Sequence, residues 1–389
     1  MPPKSPAPSV TGRLVNSLKD ISREDWQALA GSNPFMSYDF LELLEASGCA
    51  SPKTGWMPLY LLLEEDVELI GAAAAYLKSH SRGEYVFDQG WAEAFERNGL
   101  SYYPKLLVSV PFTPVTGPRL LAKTDEARAL VARALVSVAV EQKLSSLHIL
   151  FVEEQDRLAL KEAGFMMREA VQFHWTNDSY WTFDAFLASL SHDKRKKLKQ
   201  DRKSVAKAGI TFRWLTGAEL TQEHLKFFYA CYVHTYKEHW SSPYLTLAFF
   251  LELHERRPDM LMLVLAERDG QAIACALNVI GDSTLYGRYW GTTEFVSGLH
   301  FETCYMQSIE FCIARGVQRF EGGAQGEHKM ARGLMPVRTH SAHWVADRRF
   351  AEAIEDFLGQ ETKAIEGYVE QLEGSSPFKS GVREGASGR

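Results

Sequence analysis

The sequence predicts an α/β (α+β) protein built as two similar units, each a mixed, mainly antiparallel sheet flanked by helices. Three observations carry this. The 389 residues exceed what one hydrophobic core usually serves. Residues 61–73 (LLLEEDVELIGAA) align without a gap on residues 264–276 (VLAERDGQAIACA), a constant shift of 203 residues. The elements that follow each copy come in the same order.

Each copy is an apolar run, an acidic turn and a second apolar run, which is the pattern of a β-hairpin; Asp269-Gly270 is a favoured turn dipeptide in the second. The same shift sets residues 84–88 (EYVFD) against 287–291 (GRYWG), so a third strand is expected in each unit. A helix comes next. In the first unit it is TDEARALVARALVSVAVEQKL, with Thr124 as N-cap and Asp125 and Glu126 at the positive helix end. In the second it is HFETCYMQSIEFCIARG, where Phe301, Cys304, Tyr305, Ile309 and Cys312 share one face and Gly316 is the expected C-cap. SLHILFV and VQRFEGG close the units as strands. Upstream lie the helical stretches SREDWQALAGS and SYDFLELLEAS in one unit and TQEHLKFFYACYVHTYKEHW in the other.

Helix, helix, antiparallel hairpin, strand, helix, strand is the element order of a GNAT (acyl-CoA N-acyltransferase) domain, and two copies make a tandem. The expected domains are 13–178 and 179–372, with the boundary near Trp175–Phe183. Residues 1–12 and 373–389 are expected to be disordered, being rich in Pro, Ser and Gly.

Composition excludes several classes. A net charge of −6 means that any polyanion site must be local. The five cysteines are scattered, odd in number and without CxxC, as in a reduced cytoplasmic protein. No stretch reaches the ~18–20 uninterrupted apolar residues of a membrane span, and the N-terminus has no apolar signal core. The exception to the acidic background is residues 191–210 (SHDKRKKLKQDRKSVAKAGI), which hold eight Lys/Arg and two Asp between His192 and Lys207. It reads as a helix anchored by Leu198, Val205 and Ile210. Its cations, among them Lys194, Arg195 and Lys197, form either a solvated face or a phosphate-binding strip for tRNA, a nucleotide diphosphate or an anionic lipid surface.

The stretches YVFDQGWAEAFERNGL and SYYPKLLVSVPFTPVTGPRLL closely resemble the bacterial FemAB-like proteins of the peptidoglycan biosynthesis/recognition type, described as N-acyltransferases of the GNAT superfamily. The resemblance runs from NPFMSYDFLELLEASGCA to HWVADRRFAEAIEDFL. The related Fem ligases have two GNAT-like domains and join an amino acid from aminoacyl-tRNA to an amine of a peptidoglycan precursor. Residues 191–210 are similar to their basic helix, FYACYVHTYKEHW to the aromatic helix after it, and Lys329 falls where they carry a lysine near the reacting groups. One departure bears on the donor. The Q/R-x-x-G-x-G/A loop that holds a CoA pyrophosphate is missing from both TPVTGPRLLAKTDE and GTTEFVSGLHFET.

Amide formation needs a neutral amine, an activated carbonyl and a stabilised oxyanion. No Ser-His-Asp or Cys-His spacing suggests a covalent route, so direct attack is expected. In FEGGAQGEHKMARGLMPVRTHSAHWV, Glu321, Glu327 and His328 are the candidates to take the ammonium proton. Lys329 is the candidate for the oxyanion, and Arg332 for oxyanion or phosphate charge. Trp290, Lys194, Arg195, Lys197, Lys237, Asp88 and Tyr103 complete the candidate substrate-binding set. His328, His340 and His343 imitate a metal set, but residues three apart on a strand face opposite ways, so no metal is expected. The expected activity is N-acyl transfer to an amine of a peptidoglycan or other cell-envelope precursor, without a covalently bound cofactor, in the cytoplasm. The acyl donor is aminoacyl-tRNA by preference or acyl-CoA. The competing readings are an acyl-CoA-dependent N-acetyltransferase acting on a small amine or peptide, and a non-catalytic module binding peptidoglycan or tRNA. A peripheral membrane contact is compatible with each.

Overall fold

The structure is a computed structural model that describes residues 9–324 and 326–379. It divides into two compact units. Unit 1 is Met1–Ala170 with Thr339–Ile365, and unit 2 is Val171–Arg338 with Glu366–Arg389.

In chain order the elements begin with β1 (Val10–Val15), α1 (Arg23–Ala30), α2 (Tyr38–Ala46), β2 (Trp56–Glu65), β3 (Glu68–Lys78) and α3 (Gln89–Arg97). Then come β4 (Lys105–Val108), β5 (Leu121–Ala122), α4 (Asp125–Glu141), β6 (Ser146–Val152), α5 (Glu154–Glu162) and β7 (Met166–Thr176). The chain goes on through α6 (Phe183–Ser189), α7 (His192–Lys207), β8 (Ile210–Thr216), α8 (Gln222–Glu238), α9 (Leu247–Arg256), β9 (Leu261–Arg268), β10 (Gln271–Ile280) and β11 (Thr284–Thr292). It ends with α10 (Leu299–Phe301), a π-helical turn (Glu302–Met306), α11 (Gln307–Arg315), β12 (Arg319–Glu321), a 3₁₀ turn (Glu327–Arg332), β13 (Met335–Val345) and α12 (Arg348–Gly374). Strand neighbours in unit 1 run β1-β2-β3-β4-β6-β13 with β5 on β3; those in unit 2 run β7-β12-β11-β10-β9-β8.

The repeated hairpins are β2–β3 and β9–β10, both antiparallel. The helices start where their caps predict: the Thr124 hydroxyl accepts from Ala127 N at the head of α4, and Gly316 ends α11 at φ 69°. In unit 1, α4 lays Val131, Leu135 and Val138 on Leu61, Ala73 and Leu147 of the sheet. In unit 2, Met306, Ile309 and Cys312 pack on Val264, Leu285 and Phe320. The five cysteines are free thiols.

Four expectations need correcting. Residues 84–88 are not a strand; the third strand of unit 1 is β4, after α3. Glu84 and Asp88 are buried there while Tyr85 and Phe87 point outward, because the Lys105 ammonium draws both carboxylates in. Residues 10–12 belong to β1, which pairs along β2, and Phe378 of the tail is buried and bridges to Leu190; residues 1–8 and 380–389 lie outside the described residues. The division falls at Ala170/Val171, before the expected 178/179. Thr339–Ile365 belongs to unit 1, since β13 pairs antiparallel with β6.

Candidate active site

In unit 2 two parallel strands part. β11 and β12 pair only at Thr284↔Arg319, Leu285↔Phe320 and Tyr286↔Glu321. β11 then runs on to Thr292, while the other chain turns away through Gly322 and Gly323, the latter at φ +88° where an L side chain is strained. A bulge sharpens the break. Leu277 faces Tyr289 and Asn278 faces Gly287, so Arg288 is an extra residue on β11. Bulges re-aim side chains. Here Tyr289 packs on Tyr232 of α8, and Trp290 turns to His300, with ring centroids 4.8 and 5.1 Å apart.

The gap is a cavity of about 150 Å³, lined by Asn278, Gly287, Arg288, Trp290, His300, Cys304, Tyr305, Phe320, Gly322 and Gly323 among others. Gly287 allows a close approach, since a Cβ there would sit tightly, 3.1 Å from the Phe320 ring. His300, Cys304 and Tyr305 come from the α10–π stretch, a helical irregularity frequent at functional sites. Burial holds His300 neutral, its pKa lowered to about 4 with help from His328, Arg332 and Lys329, and pushes the Cys304 thiol up.

Lys329 lies at the edge of the gap. Its side chain is buried and Nζ donates to Gly323 O at 2.8 Å. A Cβ on Gly323 would lie 3.8 Å from Nζ and 3.9 Å from Gly287 O, which places the ammonium where the strands separate. Burial lowers its pKa to about 8. The Arg332 guanidinium covers the Phe301 ring at 3.5 Å and donates to His328 O, and among the described residues its buried Nε has no partner. His328 Nε2 is 3.4 Å from the Tyr305 hydroxyl.

Glu321 occupies the last position of β12. It is buried, and among the described residues its Oε2 has no partner. Burial raises its pKa to about 7 against the pull of Arg319 and Arg288. Phe320, its neighbour, packs in the core, so by strand alternation Glu321 faces the other side of the sheet. Lys329 lies at the edge of the separation, and Glu321 ends the strand that borders it, one residue before the glycine turn.

The structure therefore brings Lys329, His328, Arg332 and Trp290 around the cavity, and sets Glu321 on the bordering strand with its side chain on the other face. α7 packs beside them, its Asp201 close enough to act on Arg332. Lys194 and Lys197 are exposed on α7, Arg195 is half-buried, and Lys197 pairs with Asp201 at 2.9 Å. Four residues stand apart in other ways. Glu327 is exposed and accepts from the Tyr368 hydroxyl at 2.6 Å. Lys237 is exposed in the last turn of α8. Asp88 is in unit 1, buried with Lys105 and accepting from the Tyr102 hydroxyl; Tyr103, also in unit 1, bonds Ser81. Sequence reasoning missed Asn278, Arg288, His300, Tyr305 and His174. The last had a signal: Gln172 and His174 alternate with Phe173 and Trp175, a polar face on a half-buried strand.

Against known proteins, the sequence profile of the FemAB-like group, described as peptidoglycan biosynthesis/recognition, matches residues 17–380. The chain belongs to the FemAB-like family. Among solved structures, this FemAB-like chain is similar in fold to FemX, at 13% identity over 86% of this chain and 98% of that one, with a TM-score of 0.55. It is similar also to the C-terminal DUF2156 domain of a putative lysylphosphatidylglycerol synthetase from Agrobacterium fabrum, at 7% identity over 86% and 96% of the two chains and a TM-score of 0.53. A conserved protein of unknown function from Bacteroides thetaiotaomicron matches at 12% identity over 84% and 98%, with a TM-score of 0.52. These likenesses concern the fold. A search of curated proteins found no match. No helix among the described residues is long and apolar enough to cross a membrane.

Proposed function

We propose that unit 2 catalyses N-acyl transfer: an amine of a peptidoglycan or other cell-envelope precursor attacks an acyl carbonyl held where β11 and β12 part, in the cytoplasm. The observation that carries this reading is the cavity where β11 and β12 part, with the buried Lys329 ammonium held on Gly323 O at its edge. The cavity walls hold the acyl group. Protonated Lys329 stabilises the oxyanion from a low-dielectric position, where a donor counts for more than in water. Glu321 takes the proton of the attacking ammonium, a task suited to a group whose pKa lies near the working pH. Arg332 and His328 line the approach.

Aminoacyl-tRNA is the proposed donor. Among the described residues, Lys194, Arg195, Lys196, Lys203 and Lys207 of α7 make no ion pair and are left for phosphates. The test incubates the protein with a charged tRNA pool or with acyl-CoA, plus UDP-linked peptidoglycan precursor, and follows the precursor mass. An aminoacyl increment that depends on charged tRNA supports the reading. An increment with acyl-CoA alone overturns the donor, and no increment with either leaves a binding module. Lys194→Glu, Lys196→Glu and Lys203→Glu together should flatten the salt dependence of tRNA binding without changing the melting temperature, because exposed charges contribute little to stability.

A further inference from the structure

We propose that His174, oriented by Gln172, is a positioning residue that holds Glu321 ready to take and carry the amine proton. The inference rests on the N-acyl transfer reading above and adds to it the device that sets its base.

β7 and β12 are antiparallel, with Glu321 directly opposite His174. Phe173, Trp175 and Phe320 turn into the core, so Gln172, His174 and Glu321 share the other face. The three side chains form a row. His174 Nε2 is 3.3 Å from Gln172 Oε1, and His174 Nδ1 is 3.8 Å from Glu321 Oε1. His174 is buried, and burial together with Arg319 and Lys329 lowers its pKa to about 3, so the ring is neutral. A neutral imidazole donates through one nitrogen only. With Nε2–H given to Gln172, Nδ1 presents a lone pair to Glu321. A carboxylate there would set lone pair against lone pair. A carboxylic acid, by contrast, places its O–H toward Nδ1, directly after a small side-chain rotation or through one water. The row thus favours the proton-bearing acid. Arg319 of β12, 4.0 Å away, and Arg288 of β11 favour the carboxylate and keep the group able to ionise.

The proton count closes. The substrate ammonium gives one proton to the Glu321 carboxylate. The amine nitrogen then forms the C–N bond as the ester C–O bond of the donor breaks, and the second amine proton leaves with the departing oxygen. Glu321 returns its proton to solvent, and His174 ends each cycle neutral.

The test uses the full chain and no substrate for its first readouts. With ¹⁵N-labelled histidine, long-range proton–nitrogen spectra at pH 7 should show His174, identified by its loss in His174→Asn, as the Nε2–H tautomer. With ¹³C-carboxyl glutamate, the signal lost in Glu321→Gln should titrate near 7. In Gln172→Leu, checked by melting, His174 is free to donate Nδ1–H to the carboxylate, and the Glu321 midpoint should fall by about one pH unit. The acidic limb of the precursor-acylation profile should move with it. A protonated or Nδ1–H His174, an ordinary Glu321 midpoint, or a midpoint unmoved in folded Gln172→Leu overturns the proposal. So does full turnover in Glu321→Gln, which leaves acyl transfer itself standing. The reverse result, with tautomer and midpoints as expected but no precursor acylated, removes the acyl-transfer reading and leaves the tuned carboxyl in place.

Discussion

In unit 1, β4 and β6 share the parallel pairs Leu106↔Leu147, Leu107↔His148 and Val108↔Ile149; in unit 2, β11 and β12 share Thr284↔Arg319, Leu285↔Phe320 and Tyr286↔Glu321. Beyond those pairs both sets of strands leave backbone groups in need of partners. Unit 1 answers with its own chain. Gly117 N donates to Phe151 O and bridges to Val152, and the fully buried Arg119 donates from Nε to Leu150 O at 2.9 Å and from Nη2 to Val115 O. Asp156 anchors this plug by accepting from Arg119 N, Leu120 N and Arg128 Nη1. Unit 2 has glycines at the corresponding place and keeps a cavity. A similar element order yields a self-satisfied core in one unit and a cavity in the other, according to whether the segment beyond the pairs turns back or turns away.

If the plug is structural, Asp156→Ala should be the most damaging single change. It removes the buried carboxylate that faces the Arg128 guanidinium and leaves the Arg119 and Leu120 backbone N–H groups without their acceptor, for a loss of about 3–5 kcal/mol, read by urea unfolding. A stable, folded Asp156→Ala protein would break the comparison. Lys329→Ala is the counterpart in unit 2. Turnover should fall roughly 10²–10³-fold, about 2.7–4 kcal/mol in the barrier, with an unchanged melting curve, because the lysine stabilises a transition state rather than a fold. Next comes the pH profile of kcat/KM. Glu321 must be ionised and Lys329 protonated, so activity should rise through about 7 and fall through about 8, changing about tenfold per unit outside that window. A profile flat from 6 to 9 would detach both groups from the chemistry. The smallest effect separates the units by stability. Burial lowers the pKa of His148 in unit 1 to about 3 from an ordinary 6.5. The unfolded chain therefore binds a proton more readily between those values, and the stability from the neutral ring is complete above 6.5 and lost as pH falls through the window. His148→Gln should remove about 1 kcal/mol of the stability change between pH 6.5 and 5.5, seen by chemical denaturation.

Much of the fold was legible because its cues are local. The hairpins declare themselves by short apolar runs about a turn, α4 by Thr124 and two acids, and α11 by its apolar face and Gly316. The pattern misled where electrostatics overrode it. EYVFD has the aromatic and β-branched residues of a strand and the shift that sets it against GRYWG, yet its carboxylates are inside at 2% and 4% exposure and Phe87 is outside at 60%, because two acids close on one buried lysine. Of the site, Lys329, Glu321 and Trp290 were visible from residue type beside a glycine turn. Asn278, His300 and Tyr305 looked like packing residues, and their second role came with the cavity.

The amino-acid sequence by itself determined the two units' element order, the basic helix α7 and the concentration of glycine, acid and lysine at 320–332, since each depends on neighbours within a few residues. Only the tertiary structure decided that Glu321 stands opposite His174, that Lys329 reaches the point where β11 and β12 separate, and that unit 1 closes the equivalent gap with Arg119. Those facts depend on strand register and on where a chain turns back. Register is set by the packing of residues far apart in sequence, which no local pattern encodes.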